Sequence, residues 1–330
     1  MYSYIDMHCD TLLRTLEQGS DSLYDGEGMQ SIKQMKEAKQ MCQFFAVFFP
    51  PRDMPARDGA KRPELPPDDE FFAILTENLR KEVAIHKDVI AMASSYTDIV
   101  NNWAKGLSSA VLTVEDGRMV QGKMEKLYYL YEQGVRAIAL TWNFANCFGY
   151  PNSKEPEIMN KGLTDFGIEA IGEMNRLGIL VDVSHLSDGG FMDVTKYSTK
   201  PFIASHSNCR ALTPHTRNLT DEMIRILANK GGVSGLNFCP DFVTPLETEI
   251  DSKAEYLANH VWHMLQVGGE DCIAMGTDFD GVGGHLEISH PTQMDQLFDL
   301  LAKKGMTSRQ LDKFANGTQS DERVYRIEAK

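Results

Sequence analysis

Cysteine is sparse in this chain and carries no pairing pattern: the six thiols, at positions 9, 42, 147, 209, 239 and 272, contain no C-x-x-C. Disulfide frameworks are denser and belong to shorter chains, so these residues read as reduced, mostly buried thiols of a cytosolic protein. Long apolar runs are missing as well. No stretch reaches the roughly 18 residues that a membrane span needs, and the opening "MYSYIDMHCD" lacks the basic start and apolar run of a secretion signal. A soluble, cytoplasmic protein without membrane attachment is expected. Positive charge is in short supply, with 33 Lys+Arg against 47 Asp+Glu and a formal charge of -14. That balance argues against nucleic acid or an anionic membrane as partner and points to a small molecule. There is no G-x-S-x-G, no P-loop and no G-x-G-x-x-G opening a helix, so neither serine-hydrolase chemistry nor nucleotide binding has support.

What is present is a regular alternation. Hydrophobic residues make up 42% and charged residues 24% of the 330, enough apolar content for a folded core. Strand-like runs occur at 3–10, 43–49, 108–115, 135–142, 178–185, 201–207, 231–238 and 272–279. Amphipathic helical patterns separate nearly all of them, for example "LTDFGIEAIGEMNRLG" at 163–178. Eight strands with crossover helices predict an α/β fold, a (β/α)8 TIM-like barrel, as one domain over 1–330. One connection stands out: residues 50–70 hold six of the 13 prolines. A helix cannot hold that density of proline, so the segment reads as a structured loop serving as a lid or a subunit contact.

The polar residues fall in a telling place. Strand interiors are apolar, yet His8 and Asp10, Glu115, His185, His206 and Asp278 sit at the carboxyl ends of five different runs. In a barrel those ends meet at the face where active sites are built. Any one of them alone would read as a hydrogen-bonded structural residue or a turn former; five coincident placements read as a metal site. Imidazoles and carboxylates together suit zinc or a similar divalent ion. Five ligands exceed one catalytic zinc that keeps an open position, but they suit two metals that share Glu115 and a hydroxide whose pKa they lower, while one of them polarises a carbonyl oxygen. Alternation along the first run sends Asp6 to the same side as His8 and Asp10, deeper in the strand, where it supports the site or the barrel base.

The motifs "DMHCDTL", "TVEDG", "GVRAIALTWN", "GLTDFGIEAIGEMNRLGILVDVSHLS", "PFIASHSNCRAL", "HTRNLTDE" and "MGTDFDG" occur in an order that resembles the membrane (renal) dipeptidases, a branch of the metal-dependent amidohydrolases. The resemblance covers nearly the whole chain and implies a zinc metallo-dipeptidase. It implies that His8 and Asp10 bind one zinc ion, His185 and His206 a second, and that Glu115 bridges them. Asp278 would shuttle the catalytic proton, and Arg217 would receive the substrate's terminal carboxylate, a task suited to a planar fork. It also implies dipeptide substrates, including those with a C-terminal D-residue, and a homodimer. One departure is plain. Better-known members end the fourth strand in L-T-H, whereas this chain has "LTWN", with Trp142 in the histidine's place and Asn143 as the nearby donor. Indole can only donate a hydrogen bond, so Trp142 and Asn143 are substrate-binding candidates that alter the substrate range. Alternative readings are another amidohydrolase reaction, on an N-acyl amino acid or a lactam, and a barrel that binds peptide without turnover.

The remaining polar residues have quieter expectations. His260 and His263 form H-x-x-H in an outer helix and read as helix packing. His285 and His290 lie in a glycine-rich turn, Asp280 shapes the "DFDG" turn, and His215 either touches substrate or bonds within its loop.

Overall fold

In the computed structural model, residues 2–56, 64–246 and 248–317 are described. Nine strands form one parallel sheet: β1 (Ile5–Cys9), β2 (Cys42–Phe48), β3 (Ile90–Met92), β4 (Ser108–Glu115), β5 (Val135–Ala139), β6 (Leu180–Asp182), β7 (Ile203–Ala204), β8 (Val233–Leu236) and β9 (Ile273–Met275). The order runs β2-β1-β9-β8-β7-β6-β5-β4-β3, and a further β2–β4 pairing closes the circle. Eight strands therefore make a closed parallel barrel ringed by helices, the predicted (β/α)8 architecture. The ninth, β3, was not predicted. Its three residues pair with Ser108–Ala110 of β4, along the edge that β5 takes over from Leu112. A run this short carries no readable periodicity.

Burial follows the barrel. Ile5, Val111, Ala137, Leu180, Ile203, Val233 and Ala274 come from seven strands and, with Phe44 of β2, form one apolar cluster plugging the barrel's amino-terminal end. A larger cluster lies between the strands and the surrounding helices. The helix predicted at 163–178 is observed as Asp165–Leu177; Thr164 caps it by accepting from the N–H of Gly167, and Gly178 ends it at φ 80°. The proline-rich loop ends earlier than expected, because a helix begins at Asp68. Pro67 is tolerated before a first turn, and Asp68, Asp69 and Glu70 suit a helix amino terminus. Residues 57–63 of that loop lie outside the described residues. Among the described residues, no helix is long and apolar enough to cross a membrane.

Several strands stop short of their predicted ends, three of them before a residue singled out for the site. The runs 178–185, 201–207 and 272–279 finish as strands at Asp182, Ala204 and Met275. His185 and Asp278 then turn with φ of 68° and 62°, a left-handed conformation uncommon for residues with a Cβ. His185, His206 and Asp278 consequently sit on the loops leaving the barrel rather than on its strands.

His260 and His263 are the helix-packing residues expected. His263 Nε2 lies 2.7 Å from Asp221. His260, buried on the helix Ala254–Gly268, accepts the N–H of Cys209 at Nδ1 (3.1 Å) and faces the Val243 carbonyl through Nε2 (3.3 Å). Burial pushes it down to about 4. A histidine with a folded value below its unfolded 6.5 stabilises the fold fully above pH 6.5, and that contribution fades as pH falls from 6.5 toward 4. The size is on the order of 3 kcal/mol. His260→Asn, which keeps an acceptor near Nδ1 and does not titrate, should flatten the fall of the melting temperature between pH 6.5 and 4 relative to the parent protein.

Candidate metal centre

Each polar residue singled out at a strand end reaches one spot at the carboxyl mouth of the barrel. Glu115, the last residue of β4, stands in the middle. Its Oε1 lies 3.0 Å from His185 Nε2 and 3.4 Å from His206 Nε2, and its Oε2 lies 3.5 Å from His8 Nε2. The two oxygens of one carboxylate thus face different imidazoles, the arrangement expected of a bridge. His8 Nε2 is also 3.8 Å from both Asp10 Oδ1 and Asp278 Oδ1. His8, Glu115 and His206, and likewise His8, Asp10 and Asp278, each offer ligand atoms within 4.8 Å of one another. All six residues are at most 8% exposed. Gly281 makes room for this crowding, since a Cβ there would lie 1.8 Å from Asp278 Oδ1 and 2.7 Å from Asp10 Oδ2.

Asp6 has a different task. A register irregularity between Asp6 and Cys9 breaks the strand alternation, and the Asp6 carboxylate accepts from the backbone of His8 and from both the N–H and hydroxyl of Thr277. It ties β1 to the segment carrying Asp278, the supporting role expected of it.

The electrostatics show why the cluster fits a cation. Three carboxylates and three imidazoles are buried together, and burying charge is costly without a partner. Burial alone would push His8 down, but Glu115, then Asp10 and Asp278, lift it to about 10. Burial would raise Glu115, yet the His8 charge and the close contacts of the His185 and His206 imidazoles hold it well below the usual carboxylate range. His185 is pushed down to about 3 by burial and by the Arg217 charge; burial and His8 push His206 well below its ordinary value. The carboxylates therefore recruit a proton on one imidazole while two others stay neutral with nitrogen lone pairs available. The Nε2 atoms of His185 and His206 converge to 3.1 Å, and the buried Nε2 of His8 makes no hydrogen bond. This N/O donor set suits a borderline divalent metal.

A cavity of about 560 Å³ opens over the cluster. Phe48, Met54 and Trp142 form an apolar wall, while Asn152, Lys154, His215 and Arg217 supply a polar one. Trp142 packs on Phe48 (4.9 Å between ring centres) and lies 6.0 Å from His185, so it is both a packed rim aromatic and a cavity wall. Asn143 also lines the cavity, with its Oδ1 3.1 Å from His185 Nδ1. Arg217 is 5% exposed and anchored by neutral acceptors, the Ser207 hydroxyl and the His206 carbonyl, both at 3.1 Å. Its Nε is buried without a hydrogen bond. His215 holds this loop by accepting the Arg217 N–H at Nδ1. Asp280 accepts from the Thr11 hydroxyl and from the backbone of Met29 and Gln30, which fastens the segment after β1. His285 pairs with Asp251 at an exposed position.

Sequence reasoning missed Asn237, whose Nδ2 donates to Asp278 Oδ2 at 3.0 Å and to the His206 carbonyl at 3.3 Å. The signal was available, since Asn237 is the polar residue that directly follows β8.

The family model of the membrane dipeptidases (peptidase family M19) matches residues 2–320. The chain belongs to this family. Its members are metallo-dipeptidases, hydrolases of the peptide bond, and a metal cofactor follows with membership. Among curated proteins, this chain is 32% identical to an uncharacterized protein in the pqqA 5' region of Klebsiella pneumoniae, over 71% of this chain and 91% of that one. It is 36% identical to an uncharacterized dipeptidase of Schizosaccharomyces pombe, over 54% of this chain and 42% of that protein. Among solved structures, it superposes on a family M19 metallopeptidase, dipeptidase AC, with TM-score 0.82 at 26% identity, covering 95% of both chains. A metallopeptidase from Rhodobacter sphaeroides, liganded with a phosphinate mimic of the dipeptide L-Ala-D-Ala, gives TM-score 0.82 at 26% identity over 95% of this chain and 96% of that one.

Proposed function

We propose that this dipeptidase cleaves free dipeptides, including those with a C-terminal D-residue, at a two-zinc centre held by His8, Asp10, Glu115, His185 and His206. The observation that carries the reading is the buried Glu115 carboxylate, with one oxygen on His185 and His206 and the other on His8. When bound, the two metal ions would lower the pKa of a water to supply the hydroxide nucleophile and would polarise the scissile carbonyl.

The protein's own groups do the rest. Asp278 takes the proton released by the nucleophile and hands it to the leaving amine, as a positioned carboxylate can; Asn237 fixes its Oδ2 and leaves Oδ1 facing the cluster. Arg217 receives the substrate's terminal carboxylate. Among the described residues its guanidinium is hydrogen-bonded only to neutral acceptors and keeps Nε without a hydrogen bond, while the charges of Asp278, Glu115 and Asp182 act on it without a direct ion pair, so a buried cation lines the cavity wall. Anchored on Ser207 and the His206 carbonyl, Arg217 holds a set place in the cavity wall, which favours substrates short enough to reach both it and the cluster. Trp142, with Phe48 and Met54, presents an apolar surface to a substrate side chain and excludes water, while Asn143 offers a polar contact beside it.

The test uses metal-stripped protein and a panel of dipeptides, Ala-D-Ala types among them, with their N-acetylated counterparts, before and after zinc is added. Zinc-dependent release of amino acids from the free dipeptides is expected. Cleavage of only the acetylated compounds would replace this reading with a deacylase, and two bound metals without any cleavage would replace it with a binding protein.

A further inference from the structure

Behind His206 runs a line of polar groups that the proposed reaction does not use. Asp182 ends β6 and is 4% exposed. Its Oδ1 accepts the backbone N–H groups of Ser184 and Ser205, each at 2.9 Å. Its Oδ2 accepts the Ser205 hydroxyl. The same Ser205 oxygen lies 2.7 Å from Nδ1 of His206, whose other nitrogen faces Glu115. Ser205 is held from outside as well: its carbonyl packs so closely on Gly235 and Gly276 that a Cβ at either would approach to 1.9 and 1.8 Å.

Proton counting decides what this line does. A carboxylate can only accept, and a serine hydroxyl has one proton to give. Between a charged oxygen and a neutral ring nitrogen, the hydroxyl donates to the charged one. The hydrogen shared by Ser205 and His206 must then come from the imidazole, which makes His206 the Nδ1–H tautomer and leaves the Nε2 lone pair directed at the metal position. We infer that Asp182 and Ser205 are positioning residues that set the tautomer of His206, an inference resting on the metal-centre reading above. His185 is served differently, by a single neutral contact from Asn143 to its Nδ1. Outer groups that orient a metal-binding histidine in this way are worth about 10–100-fold in metal affinity.

The geometry makes an unusual demand of the variants. In Asp182→Asn the amide oxygen must stay on the two backbone N–H groups, so the amide nitrogen replaces Oδ2 and becomes a donor toward Ser205. The hydroxyl is then turned around to donate to His206 Nδ1, which drives the proton onto Nε2 and blocks the metal. Ser205→Ala removes the acceptor of the His206 Nδ1–H altogether and leaves the ring free to choose. Zinc affinity of the whole protein, measured by competition with a chromophoric chelator, should fall about 10-fold in Ser205→Ala and about 100-fold in Asp182→Asn. The double variant should recover to about the level of Ser205→Ala, because the misdirected hydroxyl is gone. Long-range proton–nitrogen NMR of the metal-free proteins should show His206 as Nδ1–H in the parent and Nε2–H in Asp182→Asn. A merely structural role predicts losses that add in the double variant and no change of tautomer, and either result overturns the inference. If the parent held no zinc, the metal-centre reading would fail, while the ring tautomer would still decide the relay.

Discussion

Glu115→Gln should cost this dipeptidase at least about 10⁴-fold in kcat/KM on free dipeptides, roughly 5.5 kcal/mol of transition-state stabilisation. The substitution keeps the shape of the side chain and changes only its charge and one oxygen. That is enough, because Glu115 uses both oxygens, one toward His185 and His206 and one toward His8. An amide offers a single acceptor and places a donor nitrogen against one of these imidazoles. The carboxylate charge that offsets the cation is lost at the same time. Metal analysis of the purified variant should show fewer than two equivalents of zinc per chain while the circular dichroism spectrum stays that of the parent. A variant that retained two tightly held ions and more than about a tenth of the activity would remove Glu115 from the bridge.

Arg217→Met should lower kcat/KM for free dipeptides by about 10³-fold, on the order of 4 kcal/mol, within the cost of deleting one partner of a buried charged pair. The loss should appear mainly in KM, since the terminal carboxylate is bound alike in the ground and transition states. Dipeptide amides, which lack that carboxylate, supply the control: the parent should handle them poorly, and the variant should treat amide and acid nearly alike. Arg217→Lys should recover only part of the loss, because an ammonium cannot present the planar fork whose Nε is left without a hydrogen bond here. The variant's zinc content must be measured alongside, since Arg217 also donates to the His206 carbonyl. Equal losses on acids and amides would assign Arg217 to holding the cluster rather than the substrate.

Much of this site was legible because barrels place chemistry by rule. His8 and Glu115 could be found from sequence alone, since each lies at the carboxyl end of a strand that ends where its apolar run ends. The proposed partners His185, His206 and Asp278 were found for a slightly wrong reason. They were expected on strands, but the strands stop two or three residues earlier and left-handed turns at His185 and Asp278 aim the loops inward. Positive φ at a residue with a side chain leaves no periodic trace, so nothing in the pattern marked the bend. Asp6 followed the sequence more closely: it was expected below His8 and Asp10 as a support, and its carboxylate accepts from His8 and Thr277. Trp142 and Asn143 were named as contacts, yet only coordinates bring the indole against Phe48 and the amide onto His185.

The sequence by itself determined the architecture, the family and the kinds of atom gathered at the barrel mouth. The architecture and the kinds of atom follow from periodicity and residue type, and the family from the resemblance of short motifs, all of them read one segment at a time. Only the tertiary structure decided that Asn237 orients Asp278, that a short ninth strand pairs with the start of β4, and that Asp182 reaches His206 through Ser205. Each of these joins segments tens of residues apart through side-chain directions. Such directions are set by twist, bulges and left-handed turns once the barrel has closed, and no single segment carries them.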